Sequence, residues 1–168
     1  MGYLERIDAY KDDMLKALAE SVSKPSVKAE PVKKKDGELL PFGQGVHEAL
    51  TDMLEKGRAL GFDTYNDDNY AGHIEWKSEN GGDEYFGIVG HLDVVPVDNG
   101  WATDPFVMTD KGDGFVYGRG TSDDKGPVVA SLYALKALKD EGMKPKMNIR
   151  LVLGLDEETG HISAEHYT

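Results

Sequence analysis

Apolar residues recur at helical spacing in three segments of the chain, which run from Tyr3 to about Ser21, from about Gln44 to Leu60, and from Pro127 to about Glu141. In each segment the apolar side chains fall three or four positions apart among charged ones, as in an amphipathic helix with one buried face. Gly61 and Gly142 follow the second and third segments, where glycine commonly ends a helix. The pattern therefore predicts three helices that pack on a shared core.

Strand-like segments alternate with these helices. They are Phe62–Asn66, Tyr70–Lys77, Tyr85–Gly90, Pro105–Met108, Gly114–Tyr117 and Met147–Leu155. The last of them is largely apolar, which is typical of a strand buried on both faces in the centre of a sheet. The segment 22–45 contains three prolines and a lysine run at Lys33–Lys35, and it is predicted to be a loop with a disordered centre.

Helices that alternate with strands predict an α/β fold. We expect a three-layer αβα domain with a mixed, mostly parallel sheet and helices on both faces. Residues 1–168 are long enough for one sizeable core and are treated as a single folding unit.

Composition narrows the possible partners. The net charge of −12 disfavours binding to nucleic acid, whose phosphates would be repelled, and favours cations. The chain has no cysteine, so a metal site would have to be built from histidine and carboxylates, and a cytoplasmic location is expected. The sequence has neither a long apolar run nor a signal-peptide pattern, and no membrane association is expected.

Candidate chemistry is concentrated at His91 and Asp93, which follow the strand Tyr85–Gly90. Residues two apart on a strand project to the same side. A carboxylate beside an imidazole can accept one ring N–H and leave the other nitrogen free to bind a metal. A lone His-x-Asp is more often a surface pair, so further residues are needed to support a metal site.

Two later segments supply them. A glycine-rich turn carries Asp123 and Asp124 directly before the third helix, and the apolar strand Met147–Leu155 runs straight into three acidic residues at 156–158. Acidic groups gathered in one place repel each other unless a cation lies among them. The three segments together therefore predict a metal site at the ends of neighbouring strands.

The motifs resemble those of the dinuclear zinc metallopeptidases of the aminoacylase, carnosinase and carboxypeptidase G type, and within them those of bacterial dipeptidases. The matching segments are Gly90–Pro96, Trp101 with Asp104–Phe106, Tyr117–Pro127 and Asp156–Gly160. Four motifs in the family's order make the resemblance specific, and it covers essentially the whole chain.

The resemblance implies a role for each site residue. His91 would bind one metal, Asp123 would bridge both, and Glu158 would bind the other. Asp93 would orient His91, and Glu157 would be the general base. Two Zn²⁺ ions would complete the site, with Mn²⁺ or Co²⁺ as possible substitutes, and the substrate would be a short peptide. The peptide bond between Asp123 and Asp124 is expected to be cis.

Family members continue beyond the third motif and contribute one more aspartate ligand, a histidine ligand and a lid domain. The resemblance therefore implies the N-terminal part of a catalytic domain without its lid, nearly inactive in isolation. His161 and His166 could supply a replacement ligand, although histidines so placed are more often solvated.

Two alternatives to a dipeptidase stay open at this point. An acyl-amino-acid deacylase of the same family would use the same motifs with a different substrate pocket. The other alternative, from a different functional class, is a fragment that binds metal without catalysing a reaction. The sequence does not specify an oligomeric state.

Overall fold

The computed structural model describes residues 2–168. The helices are α1 (Tyr3–Ala9), α2 (Lys11–Val22), α3 (Gln44–Ala59), α4 (Lys125–Asp140) and α5 (Ile162–Tyr167). The strands are β1 (Val32–Lys33), β2 (Leu39–Leu40), β3 (Asp63–Asp67), β4 (Ala71–Trp76), β5 (Tyr85–His91), β6 (Thr109–Asp110), β7 (Val116–Tyr117) and β8 (Asn148–Gly154).

The main sheet has four strands in the order β3-β4-β8-β5. β3 and β4 form an antiparallel hairpin, β4 pairs antiparallel with β8, and β8 pairs parallel with β5. The expected mixed sheet is confirmed: β3, β8 and β5 run in one direction and β4 runs in the other, so that one of the three pairings is parallel. β4 follows β3 through a tight turn at Asp68 and Asn69, both with positive φ, and this hairpin reverses the chain direction beside β8.

Two long helices cover one face of this sheet. Ile74, Leu151 and Leu153 are fully buried there, and they are the central members of the apolar core. α3 approaches closely at Gly72, where an added Cβ would lie 2.8 Å from the side chain of Leu50. α4 approaches the sheet in the same way at Gly90, where an added Cβ would lie 2.7 Å from the side chain of Val128. The two close approaches require glycine in the strands.

α5 covers part of the opposite face of the main sheet. The hydroxyl of Tyr167 lies 2.8 Å from Nδ1 of His73, and the two rings meet edge to face. Helices on both faces give the predicted three-layer α/β arrangement, with α5 as the described part of the third layer. His73 therefore contributes to the packing of α5 on the sheet. Val89 of β5 lies on the same face and is 79% exposed.

The first predicted helix is divided into α1 and α2 at Tyr10. The backbone of Tyr10 leaves the helical region there, with φ −90° and ψ 2°. Its ring packs edge to face on Tyr133 of α4, and its hydroxyl contacts Asp140. Tertiary contacts to α4 therefore accompany a break that the apolar spacing alone does not predict.

Other elements also depart from the sequence predictions. Pro105–Met108, predicted to be a strand, is irregular, and the short strand β6 begins directly after it at Thr109. α4 begins at Lys125, so Pro127 is its third residue and not its first. The predicted loop 22–45 is largely irregular but contains the hairpin of β1 and β2, where Lys34 pairs with Glu38 at 2.6 Å. α5 was not predicted, since its six residues are too few to give a clear hydrophobic period.

Among residues 2–168, every helix is too short or too polar to cross a membrane.

We expect Gly57→Ala to destabilise the fold. Gly57 lies in α3, and a Cβ there would come within 2.8–2.9 Å of three atoms of the fully buried Ile74. Overpacking typically costs about 1–3 kcal/mol, and the better helix propensity of alanine offsets up to about 1 kcal/mol of it. The free energy of unfolding, measured with urea, should fall by about 1–2 kcal/mol. Gly87→Ala is the matched control, because its Cβ would meet only an ordinary contact at 3.7 Å. An equal effect of both substitutions would contradict the packing described for α3 and β4.

Candidate metal centre

The ends of two parallel strands define the position of the site. β5 ends at His91, β8 ends at Gly154, and these two residues are partners in the register of the pair. The segments that follow both strands therefore leave the sheet side by side at one edge, which is where open α/β sheets commonly bind ligands. α4 begins at the same edge, so the segment containing Asp123 and Asp124 faces both strand ends.

His91 is buried, and its two ring nitrogens face different groups. Nδ1 lies 3.1 Å from the backbone oxygen of Asp93 and 3.4 Å from its Oδ1. Nε2 lies 3.0 Å from Oδ1 of Asp123 and 3.7 Å from Oε2 of Glu157. Hydrogen bonding to the Asp93 carboxylate raises the pKa of His91 to about 9, and burial opposes this effect. In this arrangement Nδ1–H donates to Asp93, while Nε2 is directed at the acidic residues.

Asp93 also binds the backbone of the third motif. Its carboxylate is 1% exposed, and it accepts the backbone N–H of Glu157 at 3.1 Å and that of Glu158 at 3.0 Å. The sequence predicted only that Asp93 orients His91. Its second role could not be found from spacing, because the partners are two backbone groups more than sixty residues away.

The two adjacent aspartates point in different directions. The peptide bond between Asp123 and Asp124 is cis, as predicted. Asp123 faces Nε2 of His91 and is largely exposed on its other side. Asp124 instead accepts the backbone N–H of His91 at 3.1 Å. A Cβ at Gly90 would lie 2.7 Å from Oδ2 of Asp124, so glycine at the end of β5 leaves room for this contact. Asp124 thus attaches the glycine-rich turn to β5.

The acidic turn after β8 is shaped by Asp156, which is fully buried. Its carboxylate accepts the backbone N–H groups of Ile162 and Ser163 at the start of α5. Its backbone oxygen accepts the N–H groups of the residues at 159 and 160 and closes the turn. Burial and the negative charge of Asp123 raise the pKa of Glu158. Glu157 remains largely exposed at the rim of the site.

Three side chains converge into a group that could hold a metal ion. His91, Asp123 and Glu158 each offer one ligand atom, and these atoms lie within 4.8 Å of one another. The predicted convergence of these three residues is therefore present. One imidazole and two carboxylates form a donor set that suits Zn²⁺ or a similar divalent cation. The pKa of His91 is raised by its hydrogen bond to Asp93, and that of Glu158 by burial and then by the charge of Asp123.

The other histidines lie outside this group. His166 stacks on Tyr70 with ring centroids 4.2 Å apart and lies 3.8 Å from Asp67, beside the β3–β4 hairpin. His161 is the residue before α5 and is exposed. The idea that either one replaces a missing ligand is therefore wrong for His166 and has no support for His161. Nδ1 of His47 lies 3.1 Å from the side-chain oxygen of Asn69, in the turn of the β3–β4 hairpin.

A mostly apolar cleft of about 510 Å³ adjoins the site. It begins at His91 and Glu157 and extends along the α5 face of the sheet, past Val89, Val152 and Tyr167. The centre is therefore bordered by polar groups on the side of α4 and by apolar surface on the side of α5.

Comparisons with known proteins agree with this geometry. Residues 87–168 match peptidase family M20/M25/M40. A Beta-Ala-Xaa dipeptidase of Lactobacillus delbrueckii subsp. lactis is 40% identical over 167 residues, which cover 99% of this chain and 34% of that protein. The putative dipeptidase YtjP of Bacillus subtilis (strain 168) is 46% identical over 127 residues, which cover 76% of this chain and 27% of that protein.

Solved structures of peptidases also resemble the fold of this chain. Human carnosine dipeptidase 1 superposes with a TM-score of 0.80 and 28% identity, over 98% of this chain and 36% of that one. The M20 family metallo-carboxypeptidase Sso-CP2 from Sulfolobus solfataricus superposes with a TM-score of 0.71 and 28% identity, over 92% of this chain and 33% of that one. The chain spans about a third of the length of these relatives. Sequence motifs, site geometry and fold agree on one family: residues 87–168 match the M20/M25/M40 peptidases, and the relatives found by sequence and by structure are peptidases.

Proposed function

We propose that this chain forms the metal-binding part of a dipeptidase, which hydrolyses the peptide bond of short peptides with a metal-activated water. The observation that carries the proposal is the convergence of His91, Asp123 and Glu158 beside the exposed carboxylate of Glu157. The names of the relatives, two of them dipeptidases by sequence and one by structure, favour a dipeptide substrate over an acyl-amino acid.

The three ligands suit a pair of zinc ions. His91 and Asp123 would hold one ion, Asp123 and Glu158 the other, and the two oxygens of Asp123 allow it to bridge them. Metal ions bound there would polarise the substrate carbonyl and lower the pKa of a water molecule. Asp93 keeps the Nδ1–H of His91 engaged, so that Nε2 is the nitrogen offered to the metal. The cytoplasmic location expected from the sequence stays a prediction.

Glu157 is proposed as the general base. Its carboxylate is open to solvent at the rim of the site, close to His91, and its backbone is fixed by Asp93. It would accept the proton of the attacking water as the new carbon–oxygen bond forms. It would then deliver that proton to the amine nitrogen as the carbon–nitrogen bond breaks, so that a free carboxylate and a free amine result.

The number of ligands limits what this chain does alone. Catalytic zinc sites usually have three protein ligands, whereas each ion here would have two from the described residues. We therefore propose that the 168-residue chain binds metal weakly and hydrolyses dipeptides poorly. Fuller activity would require ligands and substrate-binding groups of the kind that the longer relatives have room for.

The role of Glu157 can be tested in a hybrid enzyme. Residues 1–168 are joined to the part of the Lactobacillus dipeptidase that follows its matched region, and dipeptide hydrolysis is measured with added zinc or manganese. Glu157→Ala should lower kcat by about 10²- to 10⁴-fold, since a positioned general base contributes this much. The metal content of the Glu157→Ala hybrid should equal that of the unsubstituted hybrid. The matched control is Glu165→Ala, an exposed glutamate of α5. A hybrid that is active with or without Glu157 would rule out the assigned role, and substantial hydrolysis by the isolated chain would contradict its proposed weakness.

Metal affinity should depend on pH through His91. With a pKa of about 9, His91 carries a proton at neutral pH in the metal-free protein, and metal binding must displace it. Between pH 6 and 8 the association constant for Co²⁺ should therefore rise by about tenfold per pH unit, because one proton is released. Competition with a chromogenic chelator measures this slope.

NMR of the imidazole nitrogens in the metal-free protein, recorded over the same pH range, provides an independent check. His91 should remain protonated throughout this range, whereas His73 should be neutral over most of it because burial lowers its pKa. A Co²⁺ affinity that does not change between pH 6 and 8 would show that His91 is not a ligand.

A further inference from the structure

We propose that Lys125 is a positioning residue for the metal centre, and that it sets the distance between Asp123 and His91 through the segment Ser21–Ser26. This segment begins in the last turn of α2 and continues past the end of that helix, and we call it the connector. The inference rests on the proposed metal site but assigns a role to a residue that binds neither metal nor substrate.

Lys125 is the first residue of α4, and its side chain is 0% exposed. The ammonium group donates hydrogen bonds to two backbone oxygens of the connector, that of Ser21 at 2.9 Å and that of Lys24 at 2.7 Å. The Ser21 oxygen lies in the last turn of α2 and the Lys24 oxygen two residues past its end, where the helix dipole favours a cation. Each oxygen also accepts one backbone N–H, from Lys24 and Ser26 respectively. The start of α4 is thus attached to the end of α2 by one buried charge.

The loop that carries Asp123 is wrapped around this lysine. A Cβ at Gly120 would lie 3.0 Å from Cδ of Lys125, and one at Gly126 would lie 2.0 Å from the backbone oxygen of Thr121. The backbone N–H of Gly126 also donates to the oxygen of Gly120 at 3.2 Å. Because the loop has no spare room around the lysine stem, the position of the ammonium group constrains the position of Asp123.

The connector binds the other ligand segment at its opposite end. The hydroxyl of Ser26 donates to the backbone oxygen of Leu92 at 2.6 Å, and the backbone oxygen of Ser26 accepts the N–H of Val94 at 3.1 Å. These contacts fix the positions of Leu92 and Val94, which lie on either side of Asp93 in the segment that follows His91. α3 fixes the connector from behind, since a Cβ at Gly45 would lie 2.3 Å from the backbone oxygen of Pro25.

One short segment therefore holds both halves of the site. Lys125 ties the Asp123 loop to the connector, and Ser26 ties the His91 segment to it. The 3.0 Å distance between Nε2 of His91 and Oδ1 of Asp123 depends on these two attachments together with the direct contact of Asp124 to the backbone N–H of His91. Replacing Lys125 by a neutral side chain of similar length would remove the charged donor from both carbonyl oxygens and leave each with one backbone N–H, which favours a shift of the loop.

The test measures Co²⁺ binding to the purified 168-residue chain, both by affinity and by the visible absorption spectrum, which reports ligand geometry. Lys125→Met should weaken binding by at least about tenfold and change the spectrum, because Asp123 leaves its position. Lys136→Met is the matched control in the same helix, since Lys136 pairs with Asp140 and not with the connector, and it should leave both readouts unchanged.

A chemical rescue separates positioning from general loss of structure. The chain has no cysteine, so Lys125→Cys can be alkylated at one place while denatured and then refolded. Treatment with 2-bromoethylamine rebuilds a lysine-like ammonium and should restore the affinity and the spectrum of the unmodified chain. Treatment with 1-bromopropane gives a neutral side chain of the same length and should not.

The outcomes distinguish this inference from the proposed function. If the unmodified chain binds Co²⁺ and Lys125→Met binds it equally well, the positioning role is overturned and the metal site stands. If the unmodified chain does not bind Co²⁺ at all, both are overturned. If Lys125→Met does not fold, Ser26→Ala decides, because it removes only the hydroxyl contact to Leu92. A several-fold loss of affinity supports the role of the connector, and an unchanged affinity and spectrum exclude it.

Discussion

The site depends on one buried carboxylate, that of Asp93. It contacts Nδ1 of His91 on one side and accepts two backbone N–H groups of the Glu157–Glu158 turn on the other. Hydrogen bonds to a charged group contribute about 1.5–3 kcal/mol each, about twice the value of neutral ones. Because the group is inaccessible to water, these partners also replace its hydration. Asp93 thus couples the orientation of the His91 imidazole to the positions of Glu157 and Glu158.

The sheet makes this coupling possible. β5 and β8 are the parallel pair of the main sheet, and their register places His91 opposite Gly154. A shift of one residue in this register would turn His91 to the other face and move the acidic turn away from Asp93. The buried residues Leu151 and Leu153 of β8 oppose such a shift, since a one-residue slip of that strand would turn both out of the core. Core packing and site geometry therefore depend on the same register.

Local sequence patterns predicted most of the site residues but fewer of the contacts that hold them in place. His91, Asp123 and Glu158 could be identified because each lies in a motif at the end of a strand or before a helix. The antiparallel pairing of β4 with β8 could not be identified, since apolar runs do not indicate which strands are neighbours. The break at Tyr10 and the second role of Asp93 share this cause. Both depend on partners far away in sequence, and residue spacing carries no information about them.

The exposed strand β5 affects how the chain behaves at high concentration. Among residues 2–168 it is an outer strand of the main sheet, and Val89 and Phe86 are exposed on it. A strand of this kind presents unpaired backbone donors and acceptors next to apolar side chains, which is a template for association with other chains. The net charge of −12 opposes association by mutual repulsion, and salt screens that repulsion. Solubility of the isolated chain should therefore decrease as ionic strength rises.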